Sequence, residues 1–229
     1  MNMYLYKTHK LKNNLKILRL LNKETKIVYL QIYMKLGHDL ETKSQLEISH
    51  FIEHLFSMFT STKYPDGKKN REEISFRNID LDAETSEKYM RFVLCFHKKQ
   101  TEFVFNLVSN ALLDFKIDES MFKQEQNAVV EELNEIIRDT DYNFNTKIDS
   151  VIYKTHQRSF TQNNRLANTK KLKPKDIYKY YKKYFVSQNF VVGLFGDISK
   201  SNLLSLYNIL EKIPSSDKNI ATYKNEKIS

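Results

Sequence analysis

The chain has 229 residues, 41% of them hydrophobic and 28% charged, and a formal net charge of +9. This length and composition suit one folded domain with a sizeable core, and no run approaches the roughly 18 apolar residues of a membrane span, so membrane insertion is not expected. The single cysteine, Cys95, excludes an internal disulfide and favours the cytoplasm or another reducing intracellular compartment. The many Lys, Asn, Ile and Tyr residues indicate an A+T-rich genome. On that basis a viral source, and with it a virion-associated protein, remains open.

Segments with helical spacing of apolar residues alternate along the chain with strand-like segments, which predicts an α+β fold. The first predicted helix, 46–59, contains the motif described below, and the apolar run 92–96 predicts a strand. The remaining helices are predicted at 102–113, 119–137, 143–155, 175–184 and 200–210. Residues 139–141 and 158–168 are predicted to be loops. We expect one domain over residues 1–213, followed by a polar tail at 214–229.

The strongest chemical signal is His50-Phe51-Ile52-Glu53-His54, which has the inverted zinc-peptidase spacing His-x-x-Glu-His. In a helix, positions four apart lie on one face, so both imidazoles can bind one metal ion. Glu53 would be close enough to take a proton from a water at that metal as the water attacks a carbonyl. The apolar neighbours predict a buried helix, in which unpaired charges would be costly.

A catalytic zinc site needs a third protein ligand, and a carboxylate is the best source. Cys95 lies in the predicted strand 92–96 and is expected to be a small buried side chain, while the other four histidines lack ligand spacing. Glu125 and Glu132 lie in the predicted helix 119–137, two turns apart and therefore on one face. One would bind the metal and the other would support the site; the residues alone leave open which does which.

The motif His50-x-x-Glu53-His54, followed by Glu125-x6-Glu132, resembles the M16 metallopeptidases, which include pitrilysin, insulin-degrading enzyme and the mitochondrial processing peptidase. The long separation between the two motifs also agrees with the family's spacing. The resemblance implies that His50, His54 and Glu132 bind one zinc ion per chain. It further implies that Glu53 is the general base and that Glu125 supports the site.

The resemblance extends over about residues 15–210 and implies strands at 15–20 and 27–37 and a late strand with its turn at 190–198. Residue Gly37 corresponds to the usual glycine before the motif helix, and the Gly196-Asp197 pair to the family's late turn. The implied fold is a two-layer domain in which helices cover one face of a mixed, mostly antiparallel sheet.

Residues 81–85 resemble the family's Asn-Ala-x-Thr segment, which lies beside the bound peptide. This implies that Asp82 and Ala83 contact substrate, although Asp82 replaces the family's asparagine and adds a negative charge. The implied function is that of a zinc-dependent endopeptidase acting on extended peptides or proteins. Family members enclose substrate between homologous domains, so a second M16-like domain, a further subunit or a homodimer partner is implied.

Two other functions are considered. Some family members have lost catalysis and serve as scaffold or assembly subunits, although all five key residues are present in this chain. The basic and aromatic segment 170–185 has the composition of a nucleic-acid-binding surface. Its apolar residues Ile177, Tyr181, Tyr184 and Phe185 recur at helical spacing, which favours a core-facing helix with solvated lysines, so a nucleic-acid partner is not expected.

Overall fold

The computed structural model describes residues 6–153, 156–219 and 221–222, and these residues form an α+β domain around one six-stranded sheet. The predicted fold class is confirmed. The strands are β1 Lys7–Lys10, β2 Lys16–Leu21, β3 Ile27–Met34, β4 Asp80–Thr85, β5 Met90–His97 and β6 Phe190–Gly196. The helices are α1 Ile48–Phe56, α2 Gly67–Phe76, α3 Thr101–Leu113, α4 Glu119–Arg138, α5 Thr140–Ile152, α6 Gln162–Thr169, α7 Pro174–Tyr184 and α8 Lys200–Leu210.

The sheet has the strand order β1-β2-β6-β3-β5-β4. Strands β2 and β6 are parallel and every other neighbouring pair is antiparallel, so the prediction of a mixed, mostly antiparallel sheet is correct. Within the described part of the chain, β4 is an edge strand with one unpaired side. Such an edge presents backbone N–H and C=O groups to which an extended peptide can add.

One face of the sheet is buried beneath the helices, because apolar residues occupy alternate positions along the central strands. In β5 the inward residues are Met90, Phe92, Leu94 and Phe96, each at most 1% exposed. The Phe56 ring of α1 packs on Phe92 with 5.0 Å between ring centroids. The helix that contains the His-x-x-Glu-His motif is therefore fixed directly on the sheet.

The chain reaches α1 through a tight approach at Gly37. A side chain at this position would place its Cβ 2.4 Å from the backbone oxygen of Glu87. The following amides, His38 N and Asp39 N, donate to the carbonyls of Ser86 and Glu87 at 3.2 and 2.8 Å. Glycine thus allows the segment before α1 to bind the turn between β4 and β5.

Both loop predictions are wrong. Residues 139–141 contain the start of α5, since Asp139 caps it by accepting a hydrogen bond from Tyr142 N at 3.0 Å. Residues 158–168 contain most of α6, which Thr161 and Asn164 open with a capping box. The helix predicted at 143–155 corresponds to α5, which begins three residues earlier and ends at Ile152. Residues 154 and 155 lie outside the described residues.

Two further expectations need correction, and two elements were not predicted. The predicted helix 46–59 is shorter, because α1 ends at Phe56 and the Asn70 side chain binds the carbonyls of Met58 and Phe59. Strand β1 and helix α2 were not predicted. Cys95 is half-buried rather than buried, because it alternates with the inward residues of β5 and lies on the other face of the sheet.

Within the segment 170–185, Pro174–Tyr184 form α7, and Ile177, Tyr184 and Phe185 are buried as predicted. Tyr181 is half-buried and packs against the core. Tyr180, which was not singled out, is also buried.

The division into a domain at 1–213 and a tail at 214–229 stays a prediction, and residues 220 and 223–229 lie outside the described residues. In the described part of that tail, Ala221 N donates to Asn189 Oδ1 at 2.9 Å. Every helix in the described part of the chain is too short or too polar to span a bilayer.

Candidate metal centre

The two motif histidines lie on the exposed side of α1, above its buried apolar face. His50 Nε2 and His54 Nε2 are 3.2 Å apart, as expected for residues separated by one helical turn. Helix α4 packs against α1 and places Glu132 Oε2 3.3 Å from His50 Nε2 and 3.5 Å from His54 Nε2. Among the residues that the structure describes, these three form the one cluster of His, Cys, Asp or Glu suited to a metal ion.

The spacing of these three donor atoms can be compared with the geometry of zinc. Ligand atoms about 2.0–2.2 Å from a tetrahedral zinc ion stand roughly 3.3–3.6 Å from one another. The observed separations are 3.2, 3.3 and 3.5 Å. Two imidazoles and one carboxylate are also the donor set of many catalytic zinc sites. The residues therefore fit a zinc ion in both spacing and chemistry.

Each imidazole is also bound by a carboxylate at its other nitrogen. His54 Nδ1 lies 3.3 Å from Glu125 Oε2, and His50 Nδ1 lies 3.0 Å from Glu47 Oε2. Both carboxylates are buried, whereas 46% of the Glu132 side chain is exposed. A carboxylate at Nδ1 keeps the proton there and leaves Nε2 available as a ligand.

Hydrogen bonds within the cluster shift the pKa values of its members. Burial alone would lower the pKa of His50, but hydrogen bonds to Glu132 and Glu47 outweigh it and raise the pKa to about 10. The hydrogen bond from His50 in turn lowers the pKa of Glu132. His50 thus contacts two carboxylates, and a metal cation bound by the same donors would displace a proton from its ring.

Glu53 lines the same cavity as the three donors, which has a volume of about 440 Å³. Its Oε2 accepts a hydrogen bond from Thr85 Oγ1 of β4 at 2.8 Å. The cavity is bounded on one side by α1 and α4, on another by residues 83–85 of β4, and also by Tyr142 of α5 and Gln162 of α6. A carboxylate that lines the same cavity as the donor cluster is a candidate general base.

The two residues expected to contact substrate differ in position. Ala83 lines the cavity. The Asp82 carboxylate instead accepts a hydrogen bond from Arg91 of β5 at 3.1 Å and is not among the residues that line it. The structure therefore brings His50, Glu53, His54, Glu125, Glu132 and Ala83 together and leaves Asp82 apart.

Sequence reasoning missed several residues at this site. Thr85 lay within the segment thought to flank substrate, but its bond to Glu53 was not foreseen. Glu47 could have been found from the sequence, because it precedes His50 by three positions and side chains at that spacing contact each other on a helix. Arg165, which binds Glu47 Oε1 at 2.8 Å, came from a predicted loop and gave no comparable signal.

The chain is similar in sequence to known peptidases. The family model described as insulinase, peptidase family M16, matches residues 16–170. A curated relative, the uncharacterized zinc protease YmxG of Bacillus subtilis, is 22% identical over 195 residues, covering 85% of this chain and 47% of YmxG.

Solved protease structures share the fold. A protease from Helicobacter pylori is 19% identical with a TM-score of 0.82, covering 99% of this chain and 55% of that protein. The periplasmic protease PqqL from Escherichia coli is 18% identical with a TM-score of 0.79, covering 97% of this chain and 25% of PqqL. This chain spans about half the length of YmxG and of the H. pylori protease. With the family model matching well over half of its residues, the chain belongs to the M16 family of peptidases.

Proposed function

We propose that this protein is a zinc-dependent endopeptidase that hydrolyses extended peptides or proteins. The observation that carries the proposal is the triangle of donor atoms from His50, His54 and Glu132, whose edges of 3.2–3.5 Å match a tetrahedral zinc ion. Family membership and the name of the relative YmxG support the choice of zinc.

In this proposal, His50, His54 and Glu132 hold one zinc ion per chain. A zinc ion in such a site acts as a Lewis acid and lowers the pKa of water to roughly 7. Glu53 accepts the proton from the attacking water and returns it to the leaving amine, and the Thr85 hydroxyl keeps its carboxylate turned into the cavity. Glu125, buried against His54 Nδ1, holds that imidazole in the orientation that directs Nε2 to the metal.

We further propose that the peptide lies along the outer edge of β4, where Ala83 lines the cavity and Asp82 lies on the same strand. Main-chain hydrogen bonds to an edge strand place few demands on sequence.

The domain at 1–213 would supply the catalytic residues. A second M16-like domain, a subunit or a homodimer partner would complete the binding chamber, consistent with the half-length match to relatives. The single cysteine supports a reducing compartment.

The test is the substitution Glu53→Gln, which keeps the size of the side chain but removes the base. We expect cleavage of a mixture of unstructured peptides, read by mass spectrometry, to fall by about 10²- to 10⁴-fold, while elemental analysis still finds one zinc per chain. The matched control is Glu72→Gln, an exposed glutamate on α2, which should cleave like the wild type.

Cleavage by Glu53→Gln at the wild-type rate would contradict the role of Glu53. A wild-type chain that binds one zinc yet cleaves no peptide, alone or at concentrations that favour a dimer, would instead favour the scaffold alternative.

A further inference from the structure

Beyond the predicted site residues, one buried carboxylate contacts the metal-binding face of α1. Glu47 is 4% exposed, and its Oε2 lies 3.0 Å from His50 Nδ1. Its other oxygen, Oε1, accepts a hydrogen bond from Arg165 of α6 at 2.8 Å. The two oxygens of one carboxylate thus connect the first motif histidine to a buried guanidinium from a distant part of the chain.

The backbone at Glu47 is strained. Its φ is 70°, in the left-handed region that glycine adopts readily and a glutamate rarely does. A side chain in this conformation persists only where the surrounding contacts hold it, and such outliers cluster at functional sites. Because glycine would adopt this φ without strain, the presence of a glutamate indicates that its side chain has a function at this position.

Capping of α1 does not supply that reason. Although Glu47 occupies the N-cap position, its side chain makes no capping hydrogen bond within the described structure. That task falls to Glu41, whose carboxylate accepts from Glu47 N and Ser49 N, each at 2.9 Å. The Glu47 carboxylate therefore binds His50 and Arg165 rather than the end of α1.

Arg165 is itself held from several sides. It is 7% exposed, its NH1 lies 3.7 Å from Glu41 Oε2, and its NH2 donates to the carbonyl of Gln157 at 3.2 Å. Asn168, one turn further along α6, donates to the carbonyl of Leu46 at 2.6 Å. Helix α6 is thereby fastened to the segment just before α1, and the position of Glu47 is fixed by charge as well as by the backbone.

We propose that Glu47 is a positioning residue that orients His50 for metal binding and that Arg165 fixes Glu47 in that role. By accepting the Nδ1 proton, Glu47 leaves His50 Nε2 free to face His54 and Glu132. It does for the first histidine what Glu125 does for the second. This inference rests on the proposed function, because it assumes that His50 is a metal ligand.

The experiment measures metal binding rather than turnover. Zinc affinity is determined by competition with a chromophoric chelator, and the visible absorption spectrum of the cobalt(II)-substituted protein reports ligand geometry. Glu47→Gln keeps the shape and removes the charge, whereas Glu47→Gly removes the carboxylate and relieves the strain. Asn78→Gly is the control, since it relieves a positive φ of 51° at an exposed residue on another part of the surface.

We expect both Glu47 variants to bind zinc about 10- to 100-fold more weakly than the wild type, with an altered cobalt spectrum and an unchanged circular dichroism spectrum. Asn78→Gly should match the wild type in affinity. If Glu47→Gly does not fold, Glu47→Gln alone decides the outcome.

Zinc affinity within twofold of the wild type and an unchanged cobalt spectrum in the folded Glu47 variants would overturn the inference, even if their thermal stability fell. That result would leave the proposed function intact. A wild-type chain that binds neither zinc nor cobalt would overturn the proposed function, and this inference with it.

Discussion

The two walls of the candidate site differ in how they are attached to the rest of the molecule. On one side, α1 buries six of its residues, Ile48, Ser49, Phe51, Ile52, Leu55 and Phe56, against the sheet and neighbouring helices. On the other side, α5 contributes Tyr142 to the cavity, yet none of its residues, all of which the structure describes, is buried. Its Phe144 and Val151 are 66% and 69% exposed.

This difference shows which residues of the site have positions fixed by the core. The donor cluster and Glu53 lie on or against elements fixed by the core, where a shift would disturb many contacts. The facing helix has no buried residue, and its polar contacts include the hydrogen bond from Gln162 Nε2 to Tyr142 Oη at 2.9 Å. Elements with few buried contacts open at low free-energy cost, so we expect the α5 wall to be the one that adjusts to substrate.

The largest expected effect comes from the core beneath α1. Phe56 is fully buried and its ring packs on Phe59, Phe92, Phe115 and Phe185. We expect Phe56→Ala to lower the free energy of unfolding by about 3–5 kcal/mol, measured by urea denaturation of the metal-free protein. A loss below about 1 kcal/mol would show that α1 is not fixed by this cluster and would remove the contrast with α5.

A smaller effect is expected at the start of α5. Asp139 accepts a hydrogen bond from Tyr142 N, and loss of such a cap costs about 1 kcal/mol. In Asp139→Ala, hydrogen exchange should become faster for α5 amides and stay unchanged for α1 amides. Asp139→Asn, which retains the capping oxygen, is the control. Equal acceleration in α1 and α5 would mean that the two walls unfold as one unit.

The smallest effect is expected on the outer face of α5. Phe144→Ala removes the same side chain as Phe56→Ala, but from a position that is 66% exposed. We expect the free energy of unfolding to change by no more than about 0.5 kcal/mol. A loss of 2 kcal/mol or more in the same urea measurement would show that Phe144 is packed in solution.

The same contrast explains what the sequence could predict. The motif helix, helix α4 and strand β5 follow from the pattern of their own apolar residues, because those residues face the core. Strands β2, β3 and β6 were instead implied by the family resemblance. The bounds of α5 were misplaced by three residues, since its apolar side chains lie outside the core and its polar cap at Asp139 resembled a loop. The segment 158–168 is polar, and its helix is stabilised by contacts distant in sequence, such as those of Arg165 with Glu47 and Asn168 with Leu46.

The residues of the site also differ in whether the sequence could predict them. Residues at helical spacing, such as His50 with His54 and Glu125 with Glu132, could be found from sequence because one helix determines their relation. The hydroxyl of Thr85 and the guanidinium of Arg165 reach the site from β4 and α6. Their positions depend on how the sheet and helices assemble, and no local pattern encodes that.

The central claim is that Glu132 completes a zinc site with His50 and His54, and metal content tests it most directly. Adjacent residues on α4 provide the comparison, because Glu131 is also exposed but does not line the cavity. After purification and dialysis against trace zinc, the wild type and Glu131→Gln should each contain one zinc per chain, and Glu132→Gln well below one. Full zinc content in Glu132→Gln, or none in the wild type, would contradict the account.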